Sequence, residues 1–135
     1  MDGFLDNKRQ ERIFFKEGIP EEYIDFRVDL SQFNNISSVY HRLMYDLTLM
    51  AAESIKLITT PGDGVEHFYV SGGFAKNEIF MRLLGSLFPE KVVLTSEIEN
   101  ASALGAALVV SNAMEENNKI EINLNTRRWE PASNY

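Results

Sequence analysis

The sequence predicts an α/β fold, because short apolar runs alternate with helical segments through its second half. Residues 65–70 and 91–94 are runs of strand length that are largely apolar. Residues 78–88 carry apolar side chains at helical spacing, and residues 101–110 are almost entirely apolar or small. Because strands that are linked through helices pair in parallel, we expect the two strands to be parallel neighbours. Consecutive apolar residues indicate strands that are covered on both faces.

The composition is that of an acidic globular domain. The chain has 135 residues, of which 44% are hydrophobic and 24% charged, and its net charge is −7. An acidic surface argues against nucleic acid or an anionic membrane as a partner, and the absence of cysteine excludes disulfides and thiolate metal sites. His41 and His67 have no second ligand at metal spacing, so we interpret both as structural or solvent-facing. No run reaches the roughly 20 apolar residues of a membrane span, and residues 1–6 lack the pattern of a signal peptide, so we expect a cytoplasmic protein.

The first part of the chain is the least regular. Residues 12–15 predict a short strand, and residues 21–26 predict a short helix that Pro20 and two following acids would start. Residues 29–35 are interpreted as a loop whose polar side chains bond their own backbone. So irregular an opening is unusual for an independent domain.

A long amphipathic helix is predicted over residues 36–58. Ser37 or Asn35 would cap its start, and residues 59–64, rich in glycine and threonine, would end it. At about 22 residues it is long enough to cross a whole face of a sheet. Its face is marked by residues spaced three and four apart: Ile36, Tyr40, Leu43, Leu47, Met50, Ser54 and Leu57.

The C-terminal part predicts one more helix and one more strand. Residues 101–110 are apolar all round and rich in alanine, which predicts a buried helix. Residues 120–124 alternate between apolar and polar and predict a half-buried strand. The tail, residues 126–135, contains the only tryptophan, Trp129, which would pack back on the domain or reach toward something else.

A double-glycine turn, Gly72-Gly73, joins the strand at residues 65–70 to the helix at residues 78–88. Without a Cβ atom, backbone amides at such a turn can approach a phosphate or a nucleotide. Asn77 would cap the helix or place its amide on a base or ribose. The alternative is a tight turn and a cap with no ligand. A dinucleotide-binding domain is disfavoured, because neither Gly-x-Gly-x-x-Gly nor Gly-Lys-Ser/Thr is present.

Two motifs give this region a family resemblance. Residues 69–77, Tyr-Val-Ser-Gly-Gly-Phe-Ala-Lys-Asn, are followed at residues 100–107 by Asn-Ala-Ser-Ala-Leu-Gly-Ala-Ala. Together they resemble the C-terminal lobe of FGGY-family carbohydrate kinases, where a Gly-Gly-Gly-Ala-Lys-Asn/Ser loop precedes Glu-Ala-x-Ala-Leu-Gly-Ala-Ala. The helix around residues 40–47 is similar to that of rhamnulokinase-like members. The resemblance implies part of a ribonuclease-H-like lobe of the actin, hexokinase and Hsp70 superfamily, with a long helix packed on a short mixed sheet.

The resemblance also implies a nucleotide site that uses ATP with Mg²⁺. Gly72 and Gly73 would approach the α-phosphate and ribose, Asn77 would lie near the adenine, and Phe74 or Ala75 would line the base pocket. Phe74 replaces the third glycine of the family loop. Asn100 replaces the glutamate of the second motif, which puts a polar contact from that position in doubt. No Mg²⁺ ligand is identified.

The division of the chain follows from the same resemblance. Residues 1–35 are interpreted as continuing from a missing part of the lobe, residues 36–125 as the nucleotide-side α/β domain, and residues 126–135 as a tail. Full members carry an Asp-Ile-Gly-Thr phosphate loop and a catalytic aspartate in a pattern that these 135 residues lack. The chain is therefore predicted to be an inactive C-terminal part of a sugar kinase, with no catalytic residue of its own. The sugar would bind only to the full-length protein.

Two alternative functions remain at this point. The chain could be a non-catalytic adaptor or assembly module that keeps the fold, or belong to another actin-like ATPase family. If the chain is instead a kinase fragment, the face left by its missing lobe would be apolar and open to self-association.

Overall fold

A computed structural model describes residues 11–22, 26–96, 98, 100–114 and 122–132. Three helices and a three-stranded sheet confirm the predicted α/β class. In chain order the elements are α1 (Ile36–Lys56), β1 (His67–Val70), α2 (Glu78–Leu87), β2 (Val92–Ser96), α3 (Ala101–Met114) and β3 (Thr126–Trp129). Short 3-10 turns precede α1 and α2, at Leu30–Gln32 and Gly73–Lys76.

The sheet has the strand order β1-β2-β3. Strands β1 and β2 are parallel, as predicted, with Phe68 opposite Val93. Strand β3 is antiparallel to β2 and places Trp129 opposite Val93. The sheet is therefore mixed, which the resemblance implied.

The third strand comes from the predicted tail, and the strand predicted at residues 120–124 is wrong. Residues 122–125 have no strand conformation, and residues 120 and 121 lie outside the described part of the chain. Alternation of apolar residues identified a possible strand, but Trp129 has much more surface to bury. Its indole is 8% exposed and donates a hydrogen bond of 3.0 Å to the buried Thr95 hydroxyl.

The core lies between α1, α2 and one face of the sheet. Helix α2 packs against α1 on one side and against β2 and β3 on the other. Helix α1 adds Met44 and Ala52 to the same cluster, and Phe68 and Val70 pack against it from β1. The least exposed apolar side chains are Met81, Leu84 and Val93, at 0%, 1% and 1%.

The other face of the sheet is exposed along β1, so the prediction that β1 is covered on both faces is wrong. His67 and Tyr69 are exposed, whereas Phe68 and Val70 between them are partly buried. In the described residues the two helices that pack on the sheet, α1 and α2, share one core on one face. A continuous apolar run therefore indicated more cover than these residues provide.

Helix α3 forms where predicted, but the prediction that it is buried is wrong. Its residues as far as Val110 are exposed or only partly buried, and Val109 and Val110 are 71% and 57% exposed. Its contacts with the other described helices and strands are slight. An apolar helix is buried only where other layers surround it, and the described residues provide no such layers. None of the helices in the described ranges is long and apolar enough to cross a membrane.

The N-terminal segment is held by turns, and the strand predicted at residues 12–15 is wrong. Phe15 has a left-handed backbone (φ 57°), which a strand does not allow. Of the helix predicted at residues 21–26, the described residues 21, 22 and 26 form bends and a turn, and residues 23–25 lie outside the description. The interpretation of residues 29–35 as a loop is confirmed in part: Leu30–Gln32 form a 3-10 turn, and the Asp29 carboxylate accepts a hydrogen bond of 2.9 Å from the nearby amide of Ser31.

A buried carboxylate ties this segment to α1. Asp46 is 0% exposed, and its Oδ2 accepts hydrogen bonds of 2.6 Å from the amides of both Ile13 and Phe14. The Arg42 guanidinium lies 3.2 Å from its other oxygen, and Arg42 also donates to the carbonyl of Glu11. Burial raises the pKa of Asp46, and these donors oppose that rise.

Candidate functional site

The double-glycine turn lies at the carboxyl end of β1, where the chain passes from the sheet to α2. Gly72 has φ 83° and ψ −162°, a backbone region that is essentially restricted to glycine. The chain then closes into the 3-10 turn Gly73–Lys76, in which the Ala75 amide donates to the Gly72 carbonyl at 3.2 Å. The turn is thus built from backbone hydrogen bonds and one glycine-only conformation.

The two glycines have different structural reasons. Gly72 is required by its own backbone angles, whatever surrounds it. Gly73 has no such angle, and a Cβ atom placed on either residue would meet no atom of the described residues within 4 Å. The described part of the fold therefore does not explain Gly73. What a side chain there would occupy is the open space in front of the turn.

Asn77 caps α2, which confirms the structural half of its prediction. Its Oδ1 accepts a hydrogen bond of 3.0 Å from the amide of Phe80. Its Nδ2 donates to the Tyr40 hydroxyl at 2.7 Å and approaches the Met44 sulfur at 3.8 Å. The cap uses the amide oxygen, and Tyr40 takes up the amide nitrogen.

Two aromatic side chains border the turn. Phe74 is 47% exposed, and its ring lies against Phe80 with 4.8 Å between centroids. Tyr40, which reaches the turn from the second helical turn of α1, is 44% exposed. The surroundings of the turn thus include an exposed apolar ring and a tyrosine that carries a hydroxyl. Such a mixture suits a planar ligand with polar edges.

Gly72, Gly73, Phe74 and Asn77 lie together at one turn, which is expected because they are close in the sequence. Sequence analysis missed Tyr40 as a member of the site. It was counted in the apolar stripe of α1, where its ring fits the spacing. The only available signal was that a tyrosine in such a stripe needs a partner for its hydroxyl. That partner, Asn77, lies 37 residues away in the sequence.

The second motif does not join the turn. Asn100 has a left-handed backbone (φ 60°), and its carbonyl accepts from the amides of Ala103 and Leu104 at the start of α3. The described residues of α3 make no extensive contact with the glycine turn, so this helix does not pack behind it. Asparagine tolerates that backbone angle better than most residues, which gives its replacement of glutamate a local reason.

Within the described residues, no three histidine, aspartate or glutamate side chains come together as a metal site. His67 stacks near Tyr69 on the open face of the sheet, with 6.3 Å between the ring centroids. The His41 ring lies edge-on to Tyr40, with 6.4 Å between centroids. No Mg²⁺ ligand is therefore identified among the described residues.

Comparison with known proteins identifies a family and a fold. Residues 31–119 match the C-terminal domain of FGGY carbohydrate kinases. The crystal structure of a carbohydrate kinase from Novosphingobium aromaticivorans has a similar fold, with a TM-score of 0.50 and 24% sequence identity. That match covers 68% of this chain but only 18% of the kinase, so the chain spans a small part of its length. No curated protein matches the chain significantly.

The resemblance stated from the two motifs is thereby confirmed, and the matched region contains α1, the glycine turn, α2 and α3. The fold is that of part of a carbohydrate kinase C-terminal domain. Because the match covers more than half of the 135 residues, the chain belongs to the FGGY carbohydrate kinase family.

Proposed function

We propose that this chain is the ATP-binding C-terminal part of a carbohydrate kinase, and that the turn of Gly72 to Asn77 holds the nucleotide. The observation that carries the proposal is Gly73, which lies beside Gly72 at the carboxyl end of β1 and which neither its backbone angles nor any neighbouring atom of the described residues explains. A glycine of this kind is expected where a ligand must come close to the main chain. It lies within the region that matches the family.

Different residues of the turn would contact different parts of the nucleotide. The backbone at Gly72 and Gly73 would face the ribose and α-phosphate, and the exposed Phe74 ring would pack against the base. Bound ATP supplies the γ-phosphoryl group that a kinase transfers to a sugar hydroxyl. No Mg²⁺ ligand is identified among the described residues, in which no three such side chains gather.

We also propose that the chain does not phosphorylate sugar by itself, because its described aspartates are committed elsewhere. Phosphoryl transfer needs a positioned base beside the acceptor hydroxyl. Asp46 is buried against Ile13 and Phe14. Asp63 accepts from the amides of Val65 and Thr60, bonds that lower its pKa, and pairs with Lys91 at 3.2 Å. Asp29 caps a 3-10 turn, while Asp2, Asp6 and Asp25 lie outside the described residues.

The test measures nucleotide binding by the parent chain and by Gly73→Ala, with backbone amide NMR and calorimetry. We expect ADP and ATP to shift the signals of Gly72, Gly73 and Asn77. Gly73→Ala should weaken binding about tenfold, roughly 1.4 kcal/mol, without changing thermal stability. Gly105→Ala is the matched control, because a Cβ atom there also meets nothing within 4 Å and the residue lies on α3.

Two results would contradict the proposed nucleotide site: unchanged spectra at millimolar nucleotide, and equal binding by Gly73→Ala and the parent chain. Sugar-dependent ADP formation by the pure chain would contradict only the proposal that the chain is inactive.

An assembly module without nucleotide chemistry is the second candidate, and the exposure of α3 favours it. Val109 and Val110 are largely exposed on a helix that is apolar all round. Apolar surface of this kind marks a contact with another protein surface. Under this alternative, nucleotide changes no signal in the turn, whereas substitutions on α3 change the association state.

A further inference from the structure

We propose that the hydroxyl of Tyr40, and not the amide of Asn77, is the polar group that this site presents to the nucleotide base. The inference rests on the proposed function and names a residue on α1 as the group that selects the base. Its ligand atom is a hydrogen-bond acceptor on the edge of a base that packs beside Phe74.

The first step is the orientation of the Asn77 amide. Its oxygen accepts from the Phe80 amide at 3.0 Å, a bond that only an oxygen can make. The amide nitrogen therefore faces Tyr40, at 2.7 Å from the hydroxyl oxygen. Turning the amide round would place two donors together at the helix end and would break the cap. Asn77 is thus held by its own helix: its amide oxygen already accepts from Phe80, and its amide nitrogen is engaged by Tyr40 and Met44.

The second step is the direction of the Tyr40 proton. An amide nitrogen is a donor only, so the tyrosine oxygen must accept in this hydrogen bond. The hydroxyl proton then points away from Asn77. Within the described part of the chain no acceptor receives it, and Tyr40 is 44% exposed. The Tyr40 hydroxyl is therefore a hydrogen-bond donor whose oxygen is positioned by the bond from Asn77.

The third step is the position of this donor beside apolar surface. Tyr40 bonds Asn77, which directly follows the turn that carries Phe74, and both aromatic side chains are about half exposed. A base that packs on the Phe74 ring brings its edge toward neighbouring polar groups. An unmatched donor in such a site discriminates strongly between ligands with and without the acceptor.

The experiment measures ADP affinity for the parent chain, Tyr40→Phe, Asn77→Ser and the double variant. Serine is a good helix cap, so Asn77→Ser keeps the bond to Phe80 and removes only the donor to Tyr40. We expect Tyr40→Phe to weaken ADP about three- to tenfold, Asn77→Ser to weaken it less, and the double variant to match Tyr40→Phe. Tyr69→Phe is the control, because Tyr69 is 63% exposed on the other face of the sheet.

A second measurement separates contact from support. Analogues of ADP that each lack one ring nitrogen are compared on the parent chain and on Tyr40→Phe. We expect the parent chain to bind one of these analogues several-fold more weakly than ADP, and Tyr40→Phe to bind the same analogue and ADP equally. A merely structural tyrosine would weaken all of the ligands alike.

The outcomes distinguish the two proposals. If the parent chain binds ADP and Tyr40→Phe binds it equally well, the inference about Tyr40 is overturned and the proposed function stands. If Asn77→Ser costs as much in the Tyr40→Phe background as alone, Asn77 contacts the base itself and the inference is again wrong. If the parent chain binds no nucleotide, both proposals fall.

Discussion

Helices α2 and α3 each follow a strand and each are strongly apolar, yet one is buried and the other is exposed. In α2, Met81 and Leu84 are 0% and 1% exposed, whereas Val109 and Val110 of α3 are 71% and 57% exposed. The apolar side of α2 faces α1 and the sheet, which cover it. Helix α3 is apolar on all sides and has no such neighbours among the described residues. The apolar content of a helix therefore indicates that it needs to be covered, but whether it is buried depends on the layers beside it.

The largest expected effect is the loss of packing under α2. Leu84→Ala should lower the free energy of unfolding by about 2–5 kcal/mol, because a cavity remains between α1, α2 and the sheet. Leu57→Ala is the control, since Leu57 is 86% exposed at the end of α1 and should change stability by less than about 0.5 kcal/mol. Urea unfolding of both variants measures the difference. Similar losses in the two would mean that α2 is no better covered than an exposed position.

A somewhat smaller effect is expected from the buried carboxylate on the covered side. Asp46→Ala leaves the amides of Ile13 and Phe14 without an acceptor and should cost about 2–4 kcal/mol. Asp46→Asn keeps one acceptor oxygen and removes a buried charge, so it should cost less than about 1 kcal/mol. Denaturant unfolding again supplies the measurement. If the two variants were equally unstable, the charge itself and not the hydrogen bonds would hold residues 11–14.

The pH dependence of stability sharpens the same comparison. Burial raises the pKa of Asp46 in the folded chain above its ordinary value of 3.8. The folded state therefore keeps a proton that the unfolded state has lost, so this residue's contribution to stability falls as pH rises from 3.8 through the folded pKa. Asp46→Asn should gain stability relative to the parent chain over that interval. Arg42 and Arg12 act against the shift, and a flat difference between the two proteins would mean that they cancel it.

The local parts of this fold were predictable, and the contacts between distant residues were not. Periodicity and cap residues predicted α1, α2, the glycine turn and the Asn77 cap, because each depends on residues within a few positions. The bond from Tyr40 to Asn77 and the grip of Asp46 on Ile13 span 37 and 33 residues. No spacing rule connects such residues, because only the packing of α1 on α2 brings the first pair together.

The wrong predictions about the third strand, the cover of β1 and the burial of α3 have a common cause. A sequence pattern indicates that a segment has apolar surface to bury. It does not show which of two segments occupies a position in the sheet, or whether another layer covers that segment. Trp129 took the sheet position beside β2, where its indole could reach the Thr95 hydroxyl. The run in β1 and the apolar residues of α3 instead met no second layer. Among the site residues, Gly72 was predictable from its turn, whereas Tyr40 was hidden in an apolar stripe.

The smallest effect on stability is expected on the exposed helix, where the association state is the informative measurement. Replacing Val109 and Val110 with serine should change the free energy of unfolding by less than about 0.5 kcal/mol each, since little is packed against them. We propose that this face supports self-association, and the double replacement should then weaken it, because burying one valine contributes about 1.5 kcal/mol or more. Sedimentation at several concentrations measures this, with Leu57→Ser as an exposed apolar control.

Charge gives the association experiment a second axis. The net charge of −7 repels one copy from another, so added salt should strengthen association through an apolar face. Contacts made by ion pairs would instead weaken in salt. A parent chain that stays monomeric at high concentration and high salt would contradict self-association. Helix α3 would then be covered by something other than a second copy of this chain, and the contrast with α2 would lie in that cover.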